Sequence, residues 1–373
     1  MQTLEHFQPS QMIMRPDNIL FVSSNGIGLG HLARQMAVAD RIAKGQRSVF
    51  LTMSYAAATL KQAGYLCLMT SHHRNNGMEV DAWNLALEQE YLVTIEELRP
   101  KALIYDATAV FGGVAEMLYR VPDLTSIWIR RPMWRPIHAP FLEHSSRFTL
   151  VIEPGELADE LDDGPTKAVQ SETMRVQPIL HTDPCDRLTR EAARQALGLP
   201  LDATVVCVQM FNGGEYDLGS VRAAVIERLL ARDNVYVIEF HSALVPAARA
   251  TDSPRHLTMN LFPTFRYSNA WDAAVSAAGY NSFHENVIGA VPTLFVPNEG
   301  DEMDMQKTRA RWALEKGCGL MMCRDDAGQL NGILERLLDN AERESIARRC
   351  QAIDWTNGAI AVARHIDALP SVA

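Results

Sequence analysis

Long apolar runs are missing from this chain. No stretch approaches the ~20 consecutive apolar residues that a membrane-spanning helix needs. The opening MQTLEHFQPSQMIMRP has neither the basic start nor the apolar core of a secretory signal. A cytoplasmic protein with a loose arm before its first strand is expected. Positive charge is also short: 35 Lys and Arg against 45 Asp and Glu give a formal net charge of −10, with a pI of about 5.6. That balance argues against nucleic acid as a partner and weakens any broad adhesion to anionic membranes. Cysteine is sparse and unpatterned. Cys67, Cys185, Cys207, Cys318, Cys323 and Cys350 show no paired spacing, and Cys318 and Cys323 are isolated from histidines, so neither a zinc site nor a disulfide framework is expected. No internal repeat of fixed period is present.

What the chain does have is length and alternation. Its 373 residues suffice for two domains, each with its own core. Buried-strand patterns at 18–23, 49–53, 65–69, 102–105 and 124–129 alternate with helical patterns at 32–44, 56–63, 82–98 and 110–118. The segment 153–174 is acidic and poor in apolar periodicity, and reads as a surface loop with Asp162 and Asp163 solvated. Alternation resumes with a helix at 187–197, strands at 204–210, 235–240 and 256–259, and a helix at 220–230. Such alternation predicts an α/β protein of doubly wound parallel sheets.

Four stretches carry chemistry. Asn25-Gly-Ile-Gly-Leu-Gly-His31 follows the first strand, so glycines 26, 28 and 30 bend the backbone tightly and leave the His31 imidazole unobstructed at a helix start. The acidic residue that a dinucleotide fingerprint needs about twenty residues later is absent, which disfavours NAD. Asp106 ends a buried strand, where it can orient an imidazolium or cap the following turn. Arg130-Arg-Pro-Met-Trp-Arg135 is a stiff basic loop, suited either to an anionic acceptor or to an interdomain contact. The fourth stretch, 272–306, reads as strand, Gly279, helix 282–288 and strand 293–296, closing on Pro297-Asn-Glu-Gly-Asp-Glu-Met-Asp-Met-Gln306. A strand, glycine turn and helix N-terminus make an anion site. Glu285 sits about one turn into that helix, able to accept both hydroxyls of a ribose. Ser282 and Glu285 also fit a capping box, which would be purely structural.

These motifs resemble the GT-B glycosyltransferases, most closely family 28, which includes the peptidoglycan N-acetylglucosaminyltransferase. That family's Gly-x-x-[Ser/Thr]-x-x-Glu run and its later Gln fall on Gly279, Ser282, Glu285 and Gln306. The resemblance implies two Rossmann-like domains with an interdomain cleft: 17–180 for the acceptor, 181–355 for the nucleotide sugar, and a terminal helix at 356–373 crossing back. It implies His31 as general base aided by Asp106, with Gly28 and Gly30 in the first loop. Gly213, Gly214, Gly279 and Ser282 would hold the diphosphate, Phe262 would lie against the base, Glu285 would hold the ribose, and Asp304 with Gln306 the sugar. The chain departs from the pattern at Glu215, an acid beside the expected phosphate loop.

The implied reaction is glycosyl transfer from a nucleotide sugar, UDP-linked by resemblance, to a hydroxyl acceptor, lipid-linked or small. It needs neither metal nor further cofactor. Cytoplasmic placement is compatible with peripheral attachment at the inner membrane. Two rivals remain: a nucleotide-sugar hydrolase, since Gly-Leu-Gly-His-x-x-Arg34 also resembles the hydrolase of the pseudaminic acid pathway, and a non-catalytic nucleotide-sugar-binding protein.

Overall fold

A computed structural model describes residues 17–23, 29–54, 56–210, 216–240 and 253–371. Two wholly parallel sheets organise the chain. The first contains β1 (Asp17–Ser23), β2 (Gln46–Thr52), β3 (Leu66–Met69), β4 (Ala102–Asp106), β5 (Ser126–Ile129), β6 (Leu150–Pro154) and β7 (Met174–Val176), in the order β3-β2-β1-β4-β5-β6-β7. The second contains β8 (Thr204–Gln209), β9 (Val235–Phe240), β10 (His256–Met259), β11 (Ala273–Ser276), β12 (Thr293–Phe295) and β13 (Leu320–Met321), in the order β10-β9-β8-β11-β12-β13. This is the GT-B arrangement. Parallel strands need crossover helices, which cover both faces and demand apolar residues at nearly every strand position. Ile19–Val22 and Val205–Val208 meet that demand, all at or near zero exposure.

Strand order reverses between β1 and β4 in the first sheet, and between β8 and β11 in the second. The loops leaving these strands part at each reversal, opening the crevice where doubly wound sheets bind ligands. His31 sits on the helix that begins at one such loop, Asp106 at the end of β4 beside it, and Gly279 at the start of the helix that follows β11. The last helix, Gly358–Asp367, buries Ala359, Val362, Ala363 and Ile366 with Ile19, Phe21, Leu32 and Met36 of the first domain.

Local sequence misleads in the acidic segment. Instead of a solvated loop, it holds the end of β6, short helical turns and a set of buried acids, while Asp163 is exposed as expected. Glu153, Glu156 and Asp162 are each at most 7% exposed. Asp162 accepts from the backbone N–H groups of Met133 and Gly164, and Glu156 pairs with Arg309. Those partners are distant in sequence or belong to the backbone, so no local periodicity reports them.

Candidate active site

The helix Gly30–Ala39 springs from the loop after β1 and places His31 in its first turn. Asp106, the last residue of β4, is fully buried beside it. His31 Nδ1 lies 2.7 Å from Asp106 Oδ1. Arg34, one turn further along the helix, holds the same carboxylate with Nε at 3.0 Å and Nη2 at 2.6 Å. Burial pushes the Asp106 carboxyl up, but Arg34 and His31 together outweigh it and hold the group below its ordinary value. Arg34 Nη2 also lies 3.0 Å from Nδ1, but the Asp106 oxygen is nearer, and an ionised carboxylate only accepts; that bond puts the ring proton on Nδ1 and leaves the Nε2 lone pair free. The His31 pKa is itself lowered, by burial first, with Arg34 and Arg131 adding to it and Asp106 offsetting only part. His31 is therefore neutral at pH 7 and able to take a proton. Asp106 does not cap the next helix, which begins at Gly112 after Phe111.

Across the crevice, the helix Tyr280–Ile288 begins directly at Gly279. It starts two residues earlier than the sequence pattern predicts, so Ser282 is inside the first turn and the capping box does not form. Ser282 Oγ instead donates to the carbonyls of Ala277 and Gly279, at 3.1 and 3.3 Å. Glu285 is half-buried, and its carboxylate has no hydrogen-bond or ionic partner among the described residues; desolvation alone pushes its pKa up to about 8. Gln306 opens the helix Gln306–Lys316 and fixes its side chain by accepting the Asn298 N–H at 3.0 Å. A Cβ added at Gly279 would lie 4.0 Å from Gln306 Nε2 and 3.6 Å from Ser282 Oγ, so these three residues line one spot.

The two sides meet. Asn281 Nδ2 donates to Gly30 O at 3.3 Å, and Arg34 Nη1 to Asn281 Oδ1 at 3.4 Å, which brings the two helix N-termini face to face. A buried ionic chain runs alongside. Arg131 Nη1 and Arg309 Nη1 both reach Asp304 Oδ2, at 2.7 and 2.9 Å. Arg309 Nε continues to Glu156 at 2.8 Å, and Glu156 to His284 Nε2 at 3.2 Å. The basic loop is thus an interdomain contact, with Arg135 also bonded to Asp301 and to the Glu299 carbonyl.

The structure brings together His31, Asp106 and Gly30 on one side and Gly279, Ser282 and Gln306 on the other; Glu285 lies one turn beyond Ser282 on the same helix. Asp304 is present too, but its Oδ2 is taken by two guanidinium groups. Phe262 packs its ring 5.3 Å from His181 and against the first domain's core. Gly28, Gly213 and Gly214 lie outside the described residues. Sequence reasoning missed Asn281, Arg309 and Glu156. Arg309 had a signal, one turn beyond Gln306 on the same helix face; Glu156 had none. Among the described residues no cluster of three or more His, Cys, Asp or Glu could hold a metal. No described helix is long and apolar enough to cross a membrane.

No family model matches the chain, and no curated protein matches it in sequence. Solved structures do match in fold. The glycotransferase of kitacinnamycin is 17% identical, with 95% of this chain and 100% of that chain covered and a TM-score of 0.63. MurG of Acinetobacter baumannii is 14% identical over 94% and 99% of the two chains, TM-score 0.61. A putative UDP-N-acetylglucosamine 2-epimerase from Listeria monocytogenes is 11% identical over 95% of each, TM-score 0.60. The structural neighbours are thus GT-B glycosyltransferases together with an epimerase of the same fold.

Proposed function

We propose that this protein transfers a glycosyl group from a nucleotide sugar to a hydroxyl acceptor bound in the crevice. The observation that carries the reading is the buried His31–Asp106 pair at 2.7 Å, met at Gly30 by Asn281 in the first turn of the helix that carries Glu285. A ribose supplies hydroxyl donors for Glu285, and a diphosphate supplies the anion that first-turn N–H groups attract. His31 Nε2 takes the acceptor proton as the acceptor oxygen bonds to the anomeric carbon and the bond to the diphosphate breaks. Asp106 stabilises the imidazolium that results. The departing charge falls on the backbone donors of 279–282 without a metal. The glycosyltransferase neighbours support transfer at this general level, and UDP is the nucleotide favoured by the sequence resemblance.

His31→Ala should lower turnover by 10²–10⁴ and leave nucleotide affinity near normal, because the ribose and diphosphate contacts assigned to 279–285 do not include it. Full turnover in that variant would remove His31 from the chemistry. Activity should also survive EDTA; loss on chelation that magnesium or manganese restores would contradict the metal-free reading. Hydrolysis is the second reading, favoured by Arg34 holding both Asp106 oxygens in the Gly-Leu-Gly-His-x-x-Arg frame. Free sugar released as fast without acceptor as with it would select hydrolysis.

A further inference from the structure

Arg131 stands where the two halves of the site join. It leaves the C-terminal end of β5 and reaches across to Asp304, with its Nη2 only 3.4 Å from Thr108 Oγ1. Its side chain keeps 18% of its surface, and its Nε makes no bond among the described residues. Arg34 and Arg309 flank it, and Arg309 Nη2 is buried without a partner. Asp106, Asp304 and Glu156 balance the three cations, but both Asp106 oxygens, both Glu156 oxygens and Asp304 Oδ2 are already engaged. What Arg131 and Arg309 themselves have left to offer a ligand is guanidinium N–H, which donates and never accepts; Asp304 Oδ1 is the one acceptor in this group that makes no bond among the described residues. A sugar hydroxyl wants both; an anionic oxygen group only accepts, and takes a guanidinium fork best.

We infer that Arg131 receives an anionic oxygen group of the donor: its diphosphate, or a carboxylate on an acidic sugar. This rests on the nucleotide-sugar reading above. The subsite that resemblance assigns to hydroxyl recognition through Asp304 is, in this chain, occupied by arginine.

Calorimetric titration of UDP, UDP-glucose and UDP-glucuronate, with dTDP as a second nucleotide, tests it on wild type, Arg131→Met, Arg131→Lys and Arg135→Met. Arg135→Met also removes bonds between the domains but touches none of this group. If the diphosphate is the ligand, Arg131→Met weakens UDP by about 10- to 100-fold, as for loss of a charged hydrogen bond. If a sugar carboxylate is the ligand, wild type prefers UDP-glucuronate to UDP-glucose and Arg131→Met abolishes that preference with UDP unchanged. Arg131→Lys, which keeps the charge and alters the local fold least, recovers part of the loss in either case. Unchanged affinities in both Arg131 variants overturn the inference, as does an equal loss in Arg135→Met, which would make Arg131 a domain clamp only. If wild type binds neither UDP nor dTDP, the nucleotide-sugar reading itself falls.

Discussion

Glu285 shows what a single residue can report. Its folded pKa is pushed up to about 8 by desolvation, against about 4.3 for an unperturbed glutamate. Between those values the native state holds more protons than the unfolded one, so the stability of the free protein falls as pH rises through the window. Ribose hydroxyls would donate to the ionised form, so nucleotide binding should release a proton there and tighten with pH, by at most about tenfold per unit. Glu285→Gln should flatten both slopes. Melting temperatures and titrations at pH 5 and pH 8 check this, and slopes that persist in the variant would assign them to another group. His31 bends the other way, since its lowered pKa keeps the neutral base available below the ordinary histidine range.

At the scale of elements, the decisive contacts are backbone against backbone. The terminal helix enters the first domain at Gly358, whose N–H donates to Pro178 O at 3.0 Å. A Cβ there would lie 1.9 Å from Gln177 O and 2.8 Å from Gln177 C, and a backbone neighbour cannot rotate away. Gly358→Ala should therefore destabilise the protein by about 1–3 kcal/mol, the usual cost of overpacking, visible as a lower denaturation midpoint. An unchanged midpoint would mean that the helix is docked less tightly than its apolar face indicates. Gly289 is held by the same logic. It ends the helix Tyr280–Ile288 with ordinary helical angles, and a Cβ would meet Phe265 at 2.6 Å. Close packing, not a left-handed turn, requires glycine there.

Across the whole molecule, the domains are joined by buried charge. The Glu156 pKa is depressed to about 2: burial pushes it up, and Arg309 and His284 more than reverse that. The depressed value means that the stability Glu156 contributes is present above about pH 4.5 and lost as pH falls toward 2. The span corresponds to on the order of 3 kcal/mol. Glu156→Gln should remove most of that acid dependence. It should also destabilise at pH 7 by about 3–5 kcal/mol, the usual cost of breaking a buried ion pair, moderated because Arg309 keeps Asp304. Acid titration followed by circular dichroism separates the two effects, and a variant with wild-type acid sensitivity would place it elsewhere.

Sequence alone determined the alternation of strand and helix, because parallel strands covered on both faces must be apolar at nearly every position. It also determined the two loops that carry His31 and the Gly279–Glu285 run, because glycines and helix starts leave local marks. Tertiary structure decided which acids are buried. Glu153, Glu156 and Asp162 look like a solvated loop until Arg130, Arg309 and the Met133 N–H arrive from elsewhere in the chain. It decided that Ser282 is not a cap, since the helix gains two residues by starting at Gly279. It also decided what Asp304 and the basic loop do. An arginine in one domain and a carboxylate in the other, 173 residues apart, show no trace of each other in local pattern, and only the packing of two sheets brings them to 2.7 Å.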